Sequence, residues 1–305
     1  MHQYGLIGYP LSHSFSQKYF MEKFANEGLV DYSYQNFPIN DIRELRSLLE
    51  QYPDLRGFNV TIPYKEQIIP FLDELDSVAE EIGAVNTVQI ARNEKDLHLK
   101  GYNTDVYGFS KSLQEWFQVS SLTPYRVQEF QVSGFKSDTL SGARVSGFKF
   151  PFRINQVSGL SALVLGTGGA SKAVVYALSR LGIDARLVSR KDVKGVFKTY
   201  EQLTGEDFAT HSLIVNTTPL GMFPNVGECP AIPYQYLTEK HFLYDLVYNP
   251  EETLFMRNGR EMGASVHNGK RMLHLQADKA WEFFKLNLSV QSSTPQPLKP
   301  TYSRE

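Results

Sequence analysis

Two α/β domains in tandem are predicted from this sequence, with a cleft between them. Strand-like and helix-like patterns alternate from the first residues, and a glycine-rich turn stands between a strand and a helix near the middle. The length of 305 residues suits two domains at roughly 150 residues each.

The elements follow in order. "YGLIGY" (4 to 9) reads as a strand broken at Pro10, since proline has no amide hydrogen for the ladder. Phe15, Tyr19, Phe20 and Phe24 then recur at helical spacing, with Ser12 or Ser14 as the cap. "DYSYQNF" is a second strand, and Ile42, Leu45, Leu48 and Leu49 mark a helix starting near Asn40 or Asp41. "GFNVTIPYK" (57 to 65) is a third strand running through Ile62 into Pro63, which leaves Lys65 on a loop at the sheet's rim. "AVNTVQIA" (84 to 91) belongs to the same sheet, which the alternation makes mostly parallel with helices on its faces.

A helix from Thr104 to Trp116 leaves this domain. "LSALVLG" (160 to 166) is the next strand, followed by "GTGGASKAVVYALSRLG", a glycine turn opening into a helix. "DARLVSR" (184 to 190), "SLIVNTT" (212 to 218) and "FLYDLVY" (242 to 248) complete a unit with the order of a Rossmann-like nucleotide-binding fold. Met272, Leu275, Trp281, Phe283 and Phe284 mark a final amphipathic helix, and the polar tail 287–305 reads as disordered. The segment 118–158 repeats "VSGFK" at 132 and 145, too few times and too briefly for a solenoid, and reads as a flexible insert. A longer surface loop costs only about 0.6 kcal/mol per doubling.

Composition narrows the function classes. With 31 basic and 33 acidic residues spread along the chain, the net charge of -2 points away from nucleic-acid and membrane partners and toward a small molecule. Cys229 is the only cysteine, so no internal disulfide or cysteine-rich metal cage is available. His13 has no metal-spaced partner, His267 and His274 read as structural, and no metal is expected. No stretch approaches the roughly 18 apolar residues of a membrane span, so the expected location is cytoplasmic.

The glycine turn is the first chemical candidate. Gly166 and Gly168 hold the first two positions of the dinucleotide fingerprint, with Ser171 where a third glycine is common. Thr167, Gly169 and Ala170 complete a backbone cradle whose amides can donate to a pyrophosphate. At the end of the next strand an NAD site usually carries a carboxylate, but this chain has Ser189, Arg190 and Lys191. A guanidinium clamps a 2′-phosphate that a carboxylate would repel, so NADP is the expected cofactor.

Eight stretches then converge in order. "GYPLSHSFSQ", "GFNVTIPYKE", "GAVNTV", "GYNTDVYGF", "GTGGASKAV", "NTTPLGM", "YDLVYNP" and "NGKRMLHLQA" together resemble the shikimate dehydrogenase family from the N-terminus to about residue 285. Only the insert and the tail fall outside. The resemblance implies a substrate-binding domain over 1–104 to which 268–286 returns, a linker helix over 105–117, and an NADP-binding domain over 159–267. It implies reversible NADP-dependent reduction of 3-dehydroshikimate to shikimate, by a monomer or homodimer. Lys65 matches the family's catalytic lysine and Asp105 its partner. Ser14 and Ser16 match the serines that hold the substrate carboxylate, while Thr61, Asn86, Asp105 and Gln276 join Lys65 around the ring oxygens. Tyr248 resembles the tyrosine that completes the substrate pocket. Met222 falls where the family lines the nicotinamide site, with Thr217 in the same motif a further cofactor contact. A free lysine, with a pKa of about 10.4, is a proton donor at neutral pH, which suits carbonyl reduction. Two rivals stay open: an enzyme with relaxed use of quinate or NAD, and a non-catalytic metabolite sensor.

Overall fold

A computed structural model describes residues 1–11, 15–92, 96–120 and 159–291, with backbone alone at 119, 120 and 287–291. Ser14, the tail from 292, and the insert from 121 to 158 lie outside the described residues. The chain divides into two compact units, one formed by 1–74, 87–101 and the residues from Asp278 onward, the other by 75–86 and 102–277.

The first unit is built on a six-stranded sheet. Its strands are β1 (His2–Gly8), β2 (Tyr32–Pro38), β3 (Leu55–Val60), β4 (Glu74–Leu75), β5 (Thr87–Arg92) and β6 (Leu97–Tyr102), in the spatial order β2-β1-β3-β5-β6-β4. β1 runs parallel to both β2 and β3, whereas β3 and β5 are antiparallel, so the sheet is mixed at its centre. Helix α1 (Phe15–Asn26) brings Phe20 and Phe24 onto Tyr4 and Tyr34, and the far half of the last helix adds Trp281 and Phe284 to the same aromatic core. Asp41 caps the next helical stretch, a 3-10 turn at Ile42–Glu44 running into α2 (Leu45–Gln51), as the sequence reading expects.

The second unit holds α3 (Ser77–Ile82), α4 (Asp105–Ser120), β7 (Ser161–Leu165), α5 (Gly169–Arg180), β8 (Asp184–Ser189), β9 (Lys198–Thr199), α6 (Gly205–Thr210), β10 (Leu213–Asn216), β11 (Phe242–Asp245), α7 (Leu254–Glu261) and β12 (Ser265–His267). Helix α8 (Lys270–Gln291) starts here and continues into the first unit. The strand order is β12-β11-β10-β7-β8-β9 and every recorded pair is parallel. Counted within the unit and read from β9, this is the 3-2-1-4-5-6 order of doubly wound dinucleotide-binding sheets. Successive residues of β7 serve opposite faces: Ala162 and Val164 enter one apolar core, Leu163 and Leu165 the other.

Several boundaries differ from the sequence reading. Strand β3 ends at Val60, two residues early: the Thr61 amide makes the last ladder bond to the Ile7 carbonyl at 2.9 Å, and the chain then turns, with the Tyr64 amide donating to the Thr61 carbonyl. The strand expected from 84 begins at Thr87, and 84–86 belong to the second unit. The helix after 104 is no linker: Val106, Phe109 and Leu113, spaced along one face, are fully buried in the second unit's core. Residues 75–86 join that unit because Val78, Ile82 and Ala84 enter the same core. Residues 268–277 also stay there, and the helix passes to the first unit only from Asp278.

Candidate active site

In the first unit the carboxyl ends of β1 and β3 lie side by side. Beyond their paired residues the backbones remain tied, with the Tyr9 amide donating to the Ile62 carbonyl at 3.0 Å. A β-carbon at Gly8 would press on the Thr61 methyl and come within 3.0 Å of the Ile62 carbonyl, so only glycine lets the two chains approach this closely. Thr61 and Lys65, both half-buried, follow on this turn, with the Tyr64 amide closing it onto the Thr61 carbonyl at 2.9 Å.

Ser16 enters from the start of α1 beside the Tyr34 hydroxyl. That hydroxyl donates to Asn59 Oδ1 at 2.8 Å, and Asn59 Nδ2 donates to Thr87 Oγ1 at 3.0 Å. Burial holds the Tyr34 phenol well above its ordinary range, with the Ser16 hydroxyl opposing the shift. The motifs of the sequence do not single out Tyr34 or Asn59. Their signal lies in the strand pattern, where a polar residue between Phe58 and Val60 must find a partner once β3 is buried.

In the second unit a polar cluster forms at the entrance of α4. Asn86 Nδ2 donates to Asp105 Oδ1 and to Thr104 Oγ1, each at 2.9 Å, while Asn86 Oδ1 accepts from the Thr104 amide at 2.7 Å. The Thr104 hydroxyl lies 3.4 Å from Gln276 Oε1 on α8. Asn103 secures the turn from beneath, accepting from the Asp105 amide at 3.1 Å and donating to the Ala84 carbonyl at 2.9 Å. Asn86, Thr104 and Asp105 are all at most 5% exposed, so each bond there is made in a poorly solvated setting. The structure thus brings together Asn86, Asp105 and Gln276, and adds Thr104. Tyr248 lies half-buried after β11, its phenol raised by burial.

The glycine turn sits at the point where strand order reverses, between β7 and β10. Gly166 has φ +120°, and a β-carbon there would come within 2.6 Å of Thr217 Oγ1, which itself donates to the Leu165 carbonyl at 2.7 Å. Gly168 precedes α5, and a β-carbon there would meet nothing within 4 Å, so the backbone lies open to an approaching group. The third fingerprint position has become structural, for Ser171 is buried and donates to the Gly168 carbonyl at 2.6 Å. Ser189 ends β8 and its hydroxyl accepts from the Lys191 amide at 3.3 Å, while Arg190 and Lys191 are exposed. An open glycine turn before a helix, followed at the next strand end by a hydroxyl and two cations, fits a phosphorylated dinucleotide. Met222, 41% exposed, follows Gly221, whose φ is +86°.

Beneath these loops lies Asp245, inside the "YDLVYNP" stretch but given no role by the sequence reading. It is fully buried at the end of β11, and burial pushes its carboxyl up to about 7 against hydrogen bonds from Thr253, Val247 and Asn216 that favour the ion. His267 stacks on Trp116 with ring centres 4.9 Å apart and lies 3.4 Å from Ser112 Oγ, a packing role. Among the described residues no group of three or more His, Cys, Asp or Glu could hold a metal ion, and no helix is long and apolar enough to cross a membrane.

Comparison with known proteins bears on this geometry. Residues 6–88 match the model of the shikimate dehydrogenase substrate binding domain. A shikimate dehydrogenase (NADP(+)) of Carboxydothermus hydrogenoformans is 35% identical over 296 residues, covering 91% of this chain and 89% of the relative. The chain belongs to the shikimate dehydrogenase family. Among solved members of that family, shikimate dehydrogenase 1 from Peptoclostridium difficile superposes with a TM-score of 0.68 at 31% identity, over 95% of this chain and 96% of that one. The Thermus thermophilus shikimate 5-dehydrogenase, solved in complex with NADP(H) and shikimate, gives 0.70 at 26% identity over 93% of each chain. The α/β architecture with a Rossmann-like second sheet is the one these shikimate dehydrogenases share.

Proposed function

We propose that this protein is an NADP-dependent shikimate dehydrogenase that reversibly reduces 3-dehydroshikimate to shikimate. The observation that carries the reading is the buried cluster at the start of α4, where a carboxylate, two carboxamides and a hydroxyl converge within single hydrogen-bond distances. Such a set matches the alternating donors and acceptors of a polyhydroxylated ring. The family's catalytic lysine, present as Lys65, supplies the acid.

NADPH, when bound, supplies the hydride. Gly166, Thr167, Gly168, Gly169 and Ala170 would hold its pyrophosphate by backbone amides, Ser189, Arg190 and Lys191 would hold its 2′-phosphate, and Thr217 and Met222 would line its nicotinamide end. Ser14 and Ser16 bind the substrate carboxylate. Thr61, Asn86, Asp105 and Gln276 take the ring oxygens, and Tyr248 closes the pocket. In reduction, the Lys65 ammonium gives a proton to the carbonyl oxygen as the carbonyl carbon accepts the hydride, and the product is the secondary alcohol. In oxidation the Lys65 amine takes that proton back. We further propose a cytoplasmic enzyme, acting as a monomer or homodimer; sedimentation of the purified chain will read the oligomeric state.

The test is steady-state turnover of shikimate and of quinate, each with NADP+ and with NAD+. The expected ranking places shikimate with NADP+ first by kcat/KM. A preference for quinate would replace the substrate assignment, and absence of turnover with all four pairs would leave a sensor.

A further inference from the structure

The buried carboxylate of Asp245 gathers groups from three separate elements. Its Oδ1 accepts from Asn216 Nδ2 at 2.9 Å, from the end of β10, and from the Val247 amide at 3.0 Å, in the loop after β11. Its Oδ2 accepts from the Thr253 hydroxyl at 2.6 Å, and Thr253 in turn caps α7 by accepting from the Met256 amide at 3.3 Å. Asn216 passes the constraint onward, because its Oδ1 accepts both the amide and the hydroxyl of Thr218, at 3.0 and 2.7 Å. The Thr218 hydroxyl then accepts the Leu220 amide at 3.3 Å. The two loops are joined again further out, where the Phe223 amide donates to the Asn249 carbonyl at 3.0 Å.

We propose that Asp245 is the positioning residue that fixes the loop carrying Thr217 and Met222 and the loop carrying Tyr248 as one arrangement. The inference rests on the proposed reading for its functional consequence, though not for its structural content. Turning inward from a strand end, the carboxylate acts through Asn216 on one loop and through Val247 on the other. A neutral amide of the same shape keeps the volume but turns one acceptor into a donor facing donors, so it loses at least one of the three bonds.

Two variants and two readouts test this. Asp245→Asn removes the shared acceptor, and Thr253→Val removes one donor while keeping the shape, so it serves should the first fail to fold. Thr253→Ser, which keeps the hydroxyl, should behave as the parent does. Amide hydrogen exchange is expected to accelerate at least about tenfold at Thr218, Leu220 and Val247 together in Asp245→Asn, and less in Thr253→Val, while Val215 and Tyr244 within the strands stay slow. Acceleration at Val247 alone, or throughout both strands, overturns the proposal. In the same variants kcat for shikimate oxidation should fall at least about tenfold, while inhibition by adenosine 2′,5′-bisphosphate, which occupies only the adenosine end of the cofactor site, stays unchanged. Equal loss of both, or of neither, also overturns it. Should the parent protein fail to oxidise shikimate, the proposed reading falls while the exchange measurement still decides the role of Asp245.

Discussion

Thr61 and Lys65 in the first unit are held by different means from Asn86, Asp105 and Gln276 in the second. In the first, Thr61 and Lys65 ride on a turn fixed by main-chain bonds to Ile7 and Tyr9 and by the close approach at Gly8. In the second, Asn86, Asp105 and Gln276 are held by side chains bonded to one another inside the core, and the loops after β10 and β11 hang from one buried carboxylate. Main-chain scaffolding separates stability from chemistry, because a side chain on the turn can change without breaking what shapes it. Side-chain scaffolding couples them, since each lost partner leaves a buried polar group unsatisfied.

The strongest way to break this contrast is Lys65→Ala. Turnover should drop at least about a hundredfold with an unchanged melting temperature, as expected for a general acid on an independently built turn. Near-normal turnover would remove Lys65 from catalysis, and a large fall in melting temperature would remove the contrast. Asn86→Ala probes the coupled side. It deprives Asp105 of a donor and the Thr104 amide of its acceptor, so a loss of about 2 to 5 kcal/mol by chemical denaturation should accompany the loss of activity. Thr61→Ala, by comparison, should raise KM for shikimate with less than about 1 kcal/mol of destabilisation.

Arg190→Ala sharpens the comparison within the second unit, since this exposed residue lies outside the buried networks. Affinity for NADPH should fall about tenfold or more, that for NADH should hardly move, and stability should stay level, all by titration calorimetry and melting. A further effect concerns pH. Asp245 has its folded pKa raised from 3.8 to about 7, so the folded state holds a proton that the unfolded chain releases. Stability should therefore decline as pH rises from about 4 to about 7 and level off above. Tyr234, whose phenol is also raised by burial and senses Asp245, stays neutral across that window. The pH slope of the melting temperature should flatten in Asp245→Asn, and an unchanged slope would assign the titration elsewhere.

Much of the fold is legible in the sequence because period and punctuation agree. β7, the glycine turn and α5 stand where the apolar run and the three glycines place them, and Asp41 caps its helix as expected. Short elements escape such a reading: α3 has an Asp76 cap and a Gly83 stop with φ +68°, but only six residues between them, too few for periodicity to declare itself. The antiparallel course of β5 is illegible because direction is a tertiary property. Lys65, Asn86, Asp105 and Gln276 are reached through the resemblance rather than spacing. Asp245 and Tyr34 stay hidden for a shared reason: each acts through other side chains, and only packing reveals such partners.

The tight floor at Gly166 has a practical consequence for laboratory evolution. Any side chain there collides with Thr217, and that collision is set by strand order rather than by what is bound. A library selecting for altered dinucleotide preference will draw almost nothing from that position. Its winners will gather at 190 and 191, where solvent tolerates whatever replaces the cations.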